Sequence, residues 1–321
     1  MIQTFSATTE MFLSDLEASK ARSSKDIEQL SSGYRVTTPS DAPQDVVTIL
    51  QVQNAMAQTT QVTRNLSRLQ NEVNTGESVL EEAVTLLQEA NVLGAQALGV
   101  GQTPEALQAL ATQLHDLQQQ VVGLSQTVVS GRYIFSGDND HAEQYTLNPP
   151  IDPVSGVANP PIDPATGVAK MFSTSETRQV ADVSGATFTA AATAQDIFDQ
   201  RDAGGTPTAS NVFAALQQLY NSLTTTPADT AAITQAIGNV KSASVWLNNN
   251  LAFYGTVQNR IASSMTIADK YQSQWTQQIS SIRDTDTAAV ASDLTATDTQ
   301  QKAALAAEAN FQPHSLFEYM R

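Results

Sequence analysis

Apolar residues return at spacings of three and four over most of this chain, the period of an amphipathic helix. Ile2, Phe5, Phe12, Leu16, Ile27, Leu30 and Tyr34 set the first stretch, and Thr9, Ser19 and Ser23 dilute its stripe. A helix with so thin a seam is marginal alone and needs partner helices. Gly33 can end it in a left-handed cap, and Pro39 and Pro43 block its resumption. Ser40 or Asp41 can cap the next helix, with Pro43 in its first turn. The helical period then runs from 44 to 98 through Val62, Leu66, Leu69, Val73, Leu80, Val84 and Leu87, and breaks at Gly99 and Gly101. Thr103-Pro104-Glu105 restarts it as cap, first-turn proline and first-turn acid. Leu107, Leu110, Leu114, Leu117, Val121, Leu124 and Val128 follow in strict three–four alternation, which predicts a coiled-coil helix to about 130.

Residues 138–209 differ in kind. Pro149-Pro150-Ile151-Asp152-Pro153-Val154-Ser155-Gly156-Val157-Ala158 recurs eleven residues later as Pro160-Pro161-Ile162-Asp163-Pro164-Ala165-Thr166-Gly167-Val168-Ala169. Each Asp-Pro-x-Ser/Thr-Gly reads as a turn, and the pair reads as a duplication in a permissive surface loop. Arg178 to Ala190, with Ser184-Gly185 at its centre, reads as a β-hairpin. Helix resumes near Asn211. After Thr226-Pro227-Ala228-Asp229, the longest seam runs from Ile233 through Val240, Leu247, Leu251, Tyr254, Ile261, Met265 and Trp275 to Ile282. So long a seam needs partners of similar length, and 44–98 and 103–130 can supply them antiparallel. Asp284-Thr285-Asp286 interrupts the pattern. A last, alanine-rich stretch holds Val290, Leu294, Leu305 and Phe311 and ends on the apolar Leu316, Phe317, Tyr319 and Met320.

The expected fold is therefore mainly α. It is a long antiparallel coiled-coil-like helical rod formed by N- and C-terminal segments, with a small β-containing insert. The segments are a terminal helix and loop (1–43), half of the rod (44–137), the insert (138–209), the returning half (210–284) and a terminal helix (285–321). The two ends match as weak helices. Ile2, Phe5, Phe12, Leu16, Leu294, Leu305, Phe311, Leu316 and Phe317 are the candidate assembly interface between copies.

Composition narrows the function. The 32 acids against 16 bases give a net charge of −16, so nucleic acid and anionic membrane are not expected partners. There is no cysteine, hence no disulfide, thiolate metal site or thiol nucleophile. No apolar run reaches the length of a transmembrane helix, and Met1 to Lys20 lacks the pattern of a cleaved secretory leader. His115, His141 and His314 share no metal-ligand spacing. Gly99-Val100-Gly101 lacks the third glycine of a dinucleotide loop, and Asp138-Asn139-Asp140 lacks the later residues of a calcium loop. No catalytic, cofactor or metal site is expected, and no enzyme activity.

Several motifs resemble the flagellin-like axial proteins of the bacterial flagellum. Leu30-Ser31-Ser32-Gly33-Tyr34-Arg35 is similar to that family's N-terminal motif. Pro39-Ser40-Asp41-Ala42-Pro43 resembles the Pro-Ser-Asp-Asp-Pro of its junction branch, with Ala42 departing from it. Gly131-Arg132-Tyr133-Ile134-Phe135 resembles the junction branch's Gly-Arg-Tyr-Ile-Phe, and Ser315-Leu316-Phe317-Glu318-Tyr319 resembles its C-terminus. The resemblance covers roughly 1–137 and 210–321. It implies a structural subunit joining hook to filament, with filament flagellin as the alternative reading. A cytosolic enzyme on a helical scaffold and a signalling rod are more remote ones. It also implies self-association, neighbours among hook protein, a second junction protein and flagellin, and an export chaperone on the C-terminal segment. The implied location is the extracellular flagellum, reached by a type III-like export route without a cleaved signal.

Overall fold

The structure, a computed structural model, describes residues 7–153, 156–173, 179–227 and 229–310. Its helices are α1 (Ala7–Ser32), α2 (Pro43–Ala97), α3 (Pro104–Ser125), α4 (Ala194–Phe198), α5 (Val212–Thr224), α6 (Thr230–Arg283) and α7 (Thr287–Asn310). Among the described residues there are also three two-stranded antiparallel ribbons: β1 (Val128–Val129) with β2 (Arg132–Tyr133), β3 (Tyr145–Thr146) with β4 (Ala169–Lys170), and β5 (Gln179–Ala181) with β6 (Thr187–Thr189). The chain forms two compact units, Met1–Thr59 with Asp269–Arg321 and Thr60–Ala268.

Helix ends follow local chemistry. The Thr103 hydroxyl accepts the Ala106 N–H ahead of Pro104 and so caps α3. Asn211 caps α5 through the Ala214 N–H, at 2.9 Å. Asp229 accepts the Ala231 N–H (2.8 Å) at the start of α6. Asp286 accepts the Ala288 (3.0 Å) and Ala289 (3.1 Å) N–H groups at the start of α7. One predicted end is corrected: α3 stops at Ser125, short of 130. Thr127-Val128-Val129 is a β-branched run, and the positive φ of Ser130 (52°) and Gly131 (79°) turns it straight back as the β1–β2 hairpin.

The Thr60–Ala268 unit is organised by seven-residue stripes. On α6, Ile233, Val240, Leu247, Tyr254, Ile261 and Ala268 recur every seventh position and are buried, with Ala236, Ala243, Val257 and Ser264 buried three positions after members of that series. On α2 the matching stripes are Leu66, Val73, Leu80 and Leu87, and Leu69, Ala83, Ala90 and Ala97. Gly76 and Gly94 occupy positions on those same stripes. A Cβ on Gly76 would lie 2.7 Å from Tyr254 Cε1, and one on Gly94 2.7 Å from Ile237 Cγ1. The two contacts run in opposite directions along the helices, so α2 and α6 are antiparallel. Gln258 on α6 donates to Asn74 (3.2 Å) and Glu77 on α2 in the same register.

The partner expected for α3 is different. α3 packs on α5, antiparallel, with Gln118 Nε2 donating to Gln217 Oε1 at 3.1 Å and His115 beside the Tyr220 ring at 5.8 Å. The seam expected on α6 is also offset on one side. Leu251 and Met265 are only partly buried, whereas Ala236, Ala243 and Ser264 are buried. Small residues carry no signal in a hydrophobic pattern, yet they let neighbouring elements approach.

Residues 138–209 are not peripheral. Tyr145, Val168, Phe188, Ile197 and Phe198 are buried in the same core as α2, α3, α5 and α6. Phe198 stacks on Phe213 of α5 (5.8 Å between centroids) and meets Phe135 edge-on (5.9 Å). The Trp246 indole N–H of α6 reaches the carbonyls of Asp196 and Ile197 on α4, at 3.2 and 3.1 Å. Asp199, fully buried, accepts hydrogen bonds from Tyr145 Oη (2.7 Å), Asn211 Nδ2 (2.8 Å) and Arg201 Nε (3.0 Å). Burial first, and then that carboxylate, raise the Tyr145 pKa, so the phenol keeps its proton as donor. A buried carboxylate with three donors is stable only while all of them are present, so the segment is locked to the helices.

The glycine on the α2 stripe gives a test. In a helix, Gly→Ala ordinarily stabilises by about 0.5–1 kcal/mol. Gly123→Ala on α3, where a Cβ meets nothing within 4 Å among the described residues, is expected to raise the melting temperature. Gly76→Ala is expected to lower it despite the same helix propensity, because the buried Tyr254 ring must move. Thermal melts of the two variants check the pair.

Candidate assembly surfaces

In the unit made of Met1–Thr59 and Asp269–Arg321, α1 and α7 pair antiparallel. The Thr285 N–H donates to the Gly33 carbonyl (3.0 Å) at one end, and Gln301 Nε2 donates to Ser19 Oγ (3.1 Å) further along. Phe12 and Leu16 are half-buried and share a cleft with Gln300, Gln301 and Ala304. No residue of α1 or α7 is buried among those described. Met11 (65% exposed), Leu13, Ile27 and Leu305 (51%) point apolar atoms at solvent, and Leu294 is half-buried. Alanine on every side of α7 gives it no preferred face. The remaining candidate interface residues, Ile2, Phe5, Phe311, Leu316 and Phe317, lie outside the described residues.

The chain segments at the base of this pair are clasped. Gly33, at φ 74°, ends α1 by donating its N–H to the Gln29 carbonyl at 2.8 Å. Tyr34 bridges to Asp284, and the Arg35 N–H donates to the Arg283 carbonyl at 2.7 Å. The Arg35 guanidinium donates to the Ile282 carbonyl (2.6 Å) and to Asp45 of α2 (2.8 Å). Arg283 in turn lies over the Tyr34 ring, 3.9 Å from its centroid. Val36, Ala42 and Ile49 form a small buried cluster with Ile282 packed on it.

Pro39 and Ser40 are the central residues of a turn closed by the Asp41 N–H on the Thr38 carbonyl, at 3.0 Å. Asp41 does not cap α2. Its Oδ2 accepts the Thr38 (2.7 Å) and Thr37 (3.1 Å) N–H groups behind it, and Oδ1 meets Lys25 Nζ at 3.0 Å. The Ala42 carbonyl takes the first helical bonds instead, and Pro43 is the first residue of α2. The Thr38 amide, and next Lys25, hold the Asp41 carboxyl well below the usual carboxylate range. Of the remaining motif residues, Leu30 is half-buried and Gly131 forms the hairpin turn. Arg132 pairs with Asp140 at 3.3 Å, the Tyr133 N–H donates to the Asp140 carbonyl, and Phe135 is buried in the core.

The α6 seam predicts a buried Trp275. It is half-buried and lies against the exposed Tyr271 one turn earlier, 5.5 Å between centroids. The pair forms an aromatic patch on α6 within the same unit as α1 and α7, and its i, i+4 spacing was the available signal. Among the described residues there is no cluster of three metal-ligating side chains, and no helix is long and apolar enough to cross a membrane.

Paired end helices and antiparallel heptad helices in one chain have counterparts among known proteins. The sequence matches the bacterial flagellin N-terminal helical region over residues 4–140 and the bacterial flagellin C-terminal helical region over residues 231–320. The chain belongs to the flagellin family of flagellar axial proteins. It is 27% identical to flagellar hook-associated protein 3 of Escherichia coli over 310 residues, 91% of this chain and 90% of that one. It is 31% identical to the Salmonella typhimurium protein of the same name over 137 residues, 42% of this chain and 43% of that one. The fold is shared with the crystal structure of flagellar hook-associated protein 3 from Legionella pneumophila (TM-score 0.59, 13% identity, 73% of this chain and 98% of that one). It is also shared with Bacillus cereus FlgL (TM-score 0.53, 19% identity, 73% of this chain and all of that one). In this chain, the residues of the three motifs that lie in described segments end a helix, clasp two segments, form turns and fill the core.

The clasp predicts a pH dependence. A carboxyl whose folded pKa is depressed contributes stability above its unfolded value, and that contribution is lost as pH falls through the folded value. Asp41→Asn is expected to lower protection of the Thr37 and Thr38 amides at neutral pH. The gap between variant and parent should narrow below about pH 4, where the unfolded carboxyl protonates. Hydrogen exchange, corrected for intrinsic rates at each pH, measures it.

Proposed function

We propose that this chain is a structural subunit of the bacterial flagellum, acting at the hook–filament junction and not as a catalyst. The observation that carries the reading is the α1–α7 pair, two helices of 26 and 24 residues that touch yet fully bury no side chain among their described residues. Such a pair gains little from folding alone and gains its burial from copies of itself and from neighbouring axial proteins. Met11, Leu13, Phe12, Leu16, Ile27, Leu294 and Leu305 form that interface, with Ile2, Phe5, Phe311, Leu316 and Phe317 extending it. The Tyr271–Trp275 patch adjoins it in sequence on the C-terminal side of the long helix. The clasp at Gly33, Arg35 and Asp284 sets where both end helices leave α2 and α6.

Combining Met11→Asp, Leu13→Asp and Ile27→Asp tests the interface. The expected result is an unchanged melt of the heptad unit with loss of incorporation into isolated hooks, scored by electron microscopy and immunoblot. Normal incorporation would assign the burial elsewhere. Continuous polymerisation of the parent chain into long filaments, in place of a thin terminal layer, would assign it to the filament.

The C-terminal segment is the proposed export chaperone site, used before assembly. Leu305, Phe311, Leu316, Phe317, Tyr319 and Met320 crowd apolar side chains into the last stretch of an acidic chain. Such a segment is an aggregation hazard unless covered. Export from the cell then proceeds through the flagellar route. Deleting 305–321 is expected to remove chaperone capture from extract while the heptad unit keeps its helical signal. Equal capture with and without the segment would place the chaperone site elsewhere.

A further inference from the structure

The two eleven-residue repeats share one backbone turn and have opposite surroundings. In the first, the Asp152 N–H donates to the Val157 carbonyl (2.9 Å) and the Gly156 N–H to the Asp152 carbonyl (2.8 Å). In the second, Asp163 donates to Val168 (3.0 Å) and Gly167 to Asp163 (2.7 Å). Gly156 and Gly167 both sit at φ 71°, and the bridges Ile151–Ala158 and Ile162–Ala169 are equivalent. Yet Val157 is 59% exposed and Val168 1%. A Cβ on Gly156 would meet nothing within 4 Å among the described residues, whereas one on Gly167 would lie 2.1 Å from Gln217 Oε1.

The second repeat is held in a cradle. Gln118 of α3 donates both to the Thr166 carbonyl and to Gln217 of α5, each at 3.1 Å. Arg201 donates to Asp163 at 2.7 Å while its Nε is fixed on the buried Asp199. Strand β3 pairs Tyr145 with Lys170 and Thr146 with Ala169. These hydrogen bonds and close approaches are made to backbone atoms, to Asp163 or to Gly167, and the Val168 side chain is buried in the core; the first repeat has an aspartate, a glycine and a valine at the equivalent positions.

We propose that this cradle is a docking site for the Ile-Asp-Pro-x-Ser/Thr-Gly-Val-Ala turn and that the first repeat is a second, competent ligand for it. Asp152 would take Arg201, Gly156 would face the Gln118–Gln217 pair, and Val157 would enter the pocket of Val168. The intact chain selects the second repeat for stated reasons. Lys170 bonds Gln195 at 2.8 Å, and its counterpart Asn159 is too short to do so. The Met171 N–H donates to the Gln144 carbonyl at 2.9 Å, and the residue after the first repeat is Pro160, which has no N–H. Removing 160–170 cures the second defect, because Met171 then follows Asn159.

Two deletions of the full chain test this. Deleting 149–159 leaves the docked repeat in place, and deleting 160–170 leaves only the first repeat to dock. Both are expected to fold, with melting temperatures within about 5 °C of each other. Val157→Asp is expected to lower the melt of the 160–170 deletion by about 5 °C or more beyond its effect in the intact chain, since in the deletion the charge is buried unpaired. Failure of either deletion to fold overturns the proposal, as does a Val157→Asp effect that is the same in both backgrounds.

Discussion

The packing of Tyr254 over Gly76 is the contact on which the heptad unit depends. A ring of that size fits between helices only where the facing residue has no side chain, and a Cβ there would intrude to 2.7 Å. The contact therefore fixes the register of α2 against α6. From that register follow the opposition of Gly94 and Ile237, the bonds of Gln258 to Asn74 and Glu77, and the stripe from Ile233 to Ala268. Heptad seams are repetitive and can slip by seven residues at modest cost, so a large–small pair away from the average supplies specificity that leucines alone do not.

The same chain carries two opposite solutions to helix stability. α2 and α6 bury stripes within Thr60–Ala268, where α3, α5 and the β-ribbons close the core. α1 and α7 are long enough to be helices but their facing stripes are only half-buried, since α7 distributes alanine around its axis and α1 interrupts its apolar positions with serine. A protein that must be soluble before assembly and ordered after it can place its marginal stability in the end segments and keep a self-sufficient core in the middle of the sequence. The acidic balance works in the same direction by keeping monomers apart.

Much of this was legible in the sequence. Helix limits near Gly33, Pro43, Thr103, Asn211, Asp229 and Asp286 were marked by caps and breakers, whose chemistry is local. The burial of Ala236, Ala243 and Ser264 was not, because small residues are silent in a hydrophobic pattern. The partner of α3 was not either, since two seams of one period fit several pairings and the choice is made by side chains such as Gln118 and Gln217. The integration of 138–209 was missed for a third reason. Its core residues, Tyr145, Phe188, Ile197 and Phe198, are scattered without a period, and the carboxylate that locks them, Asp199, looks like any surface aspartate. The interface residues fare least well: Phe12, Leu16, Leu294 and Leu305 are placed, but exposure on one chain does not name the face that covers it.

The motif residues and the proposed interface residues are different sets. Gly33, Arg35, Asp41, Gly131 and Phe135 end a helix, clasp two segments, close a turn or fill a core, all within one chain. A fold specified by seven-residue spacing, a few turn positions and one large–small register contact constrains few residue identities. That is enough to hold an architecture while most of the surface changes. The family resemblance therefore reports the scaffold first. Its extension to a place in the flagellum rests on the helices the scaffold leaves uncovered, whose sequence is free to match whichever neighbours they meet.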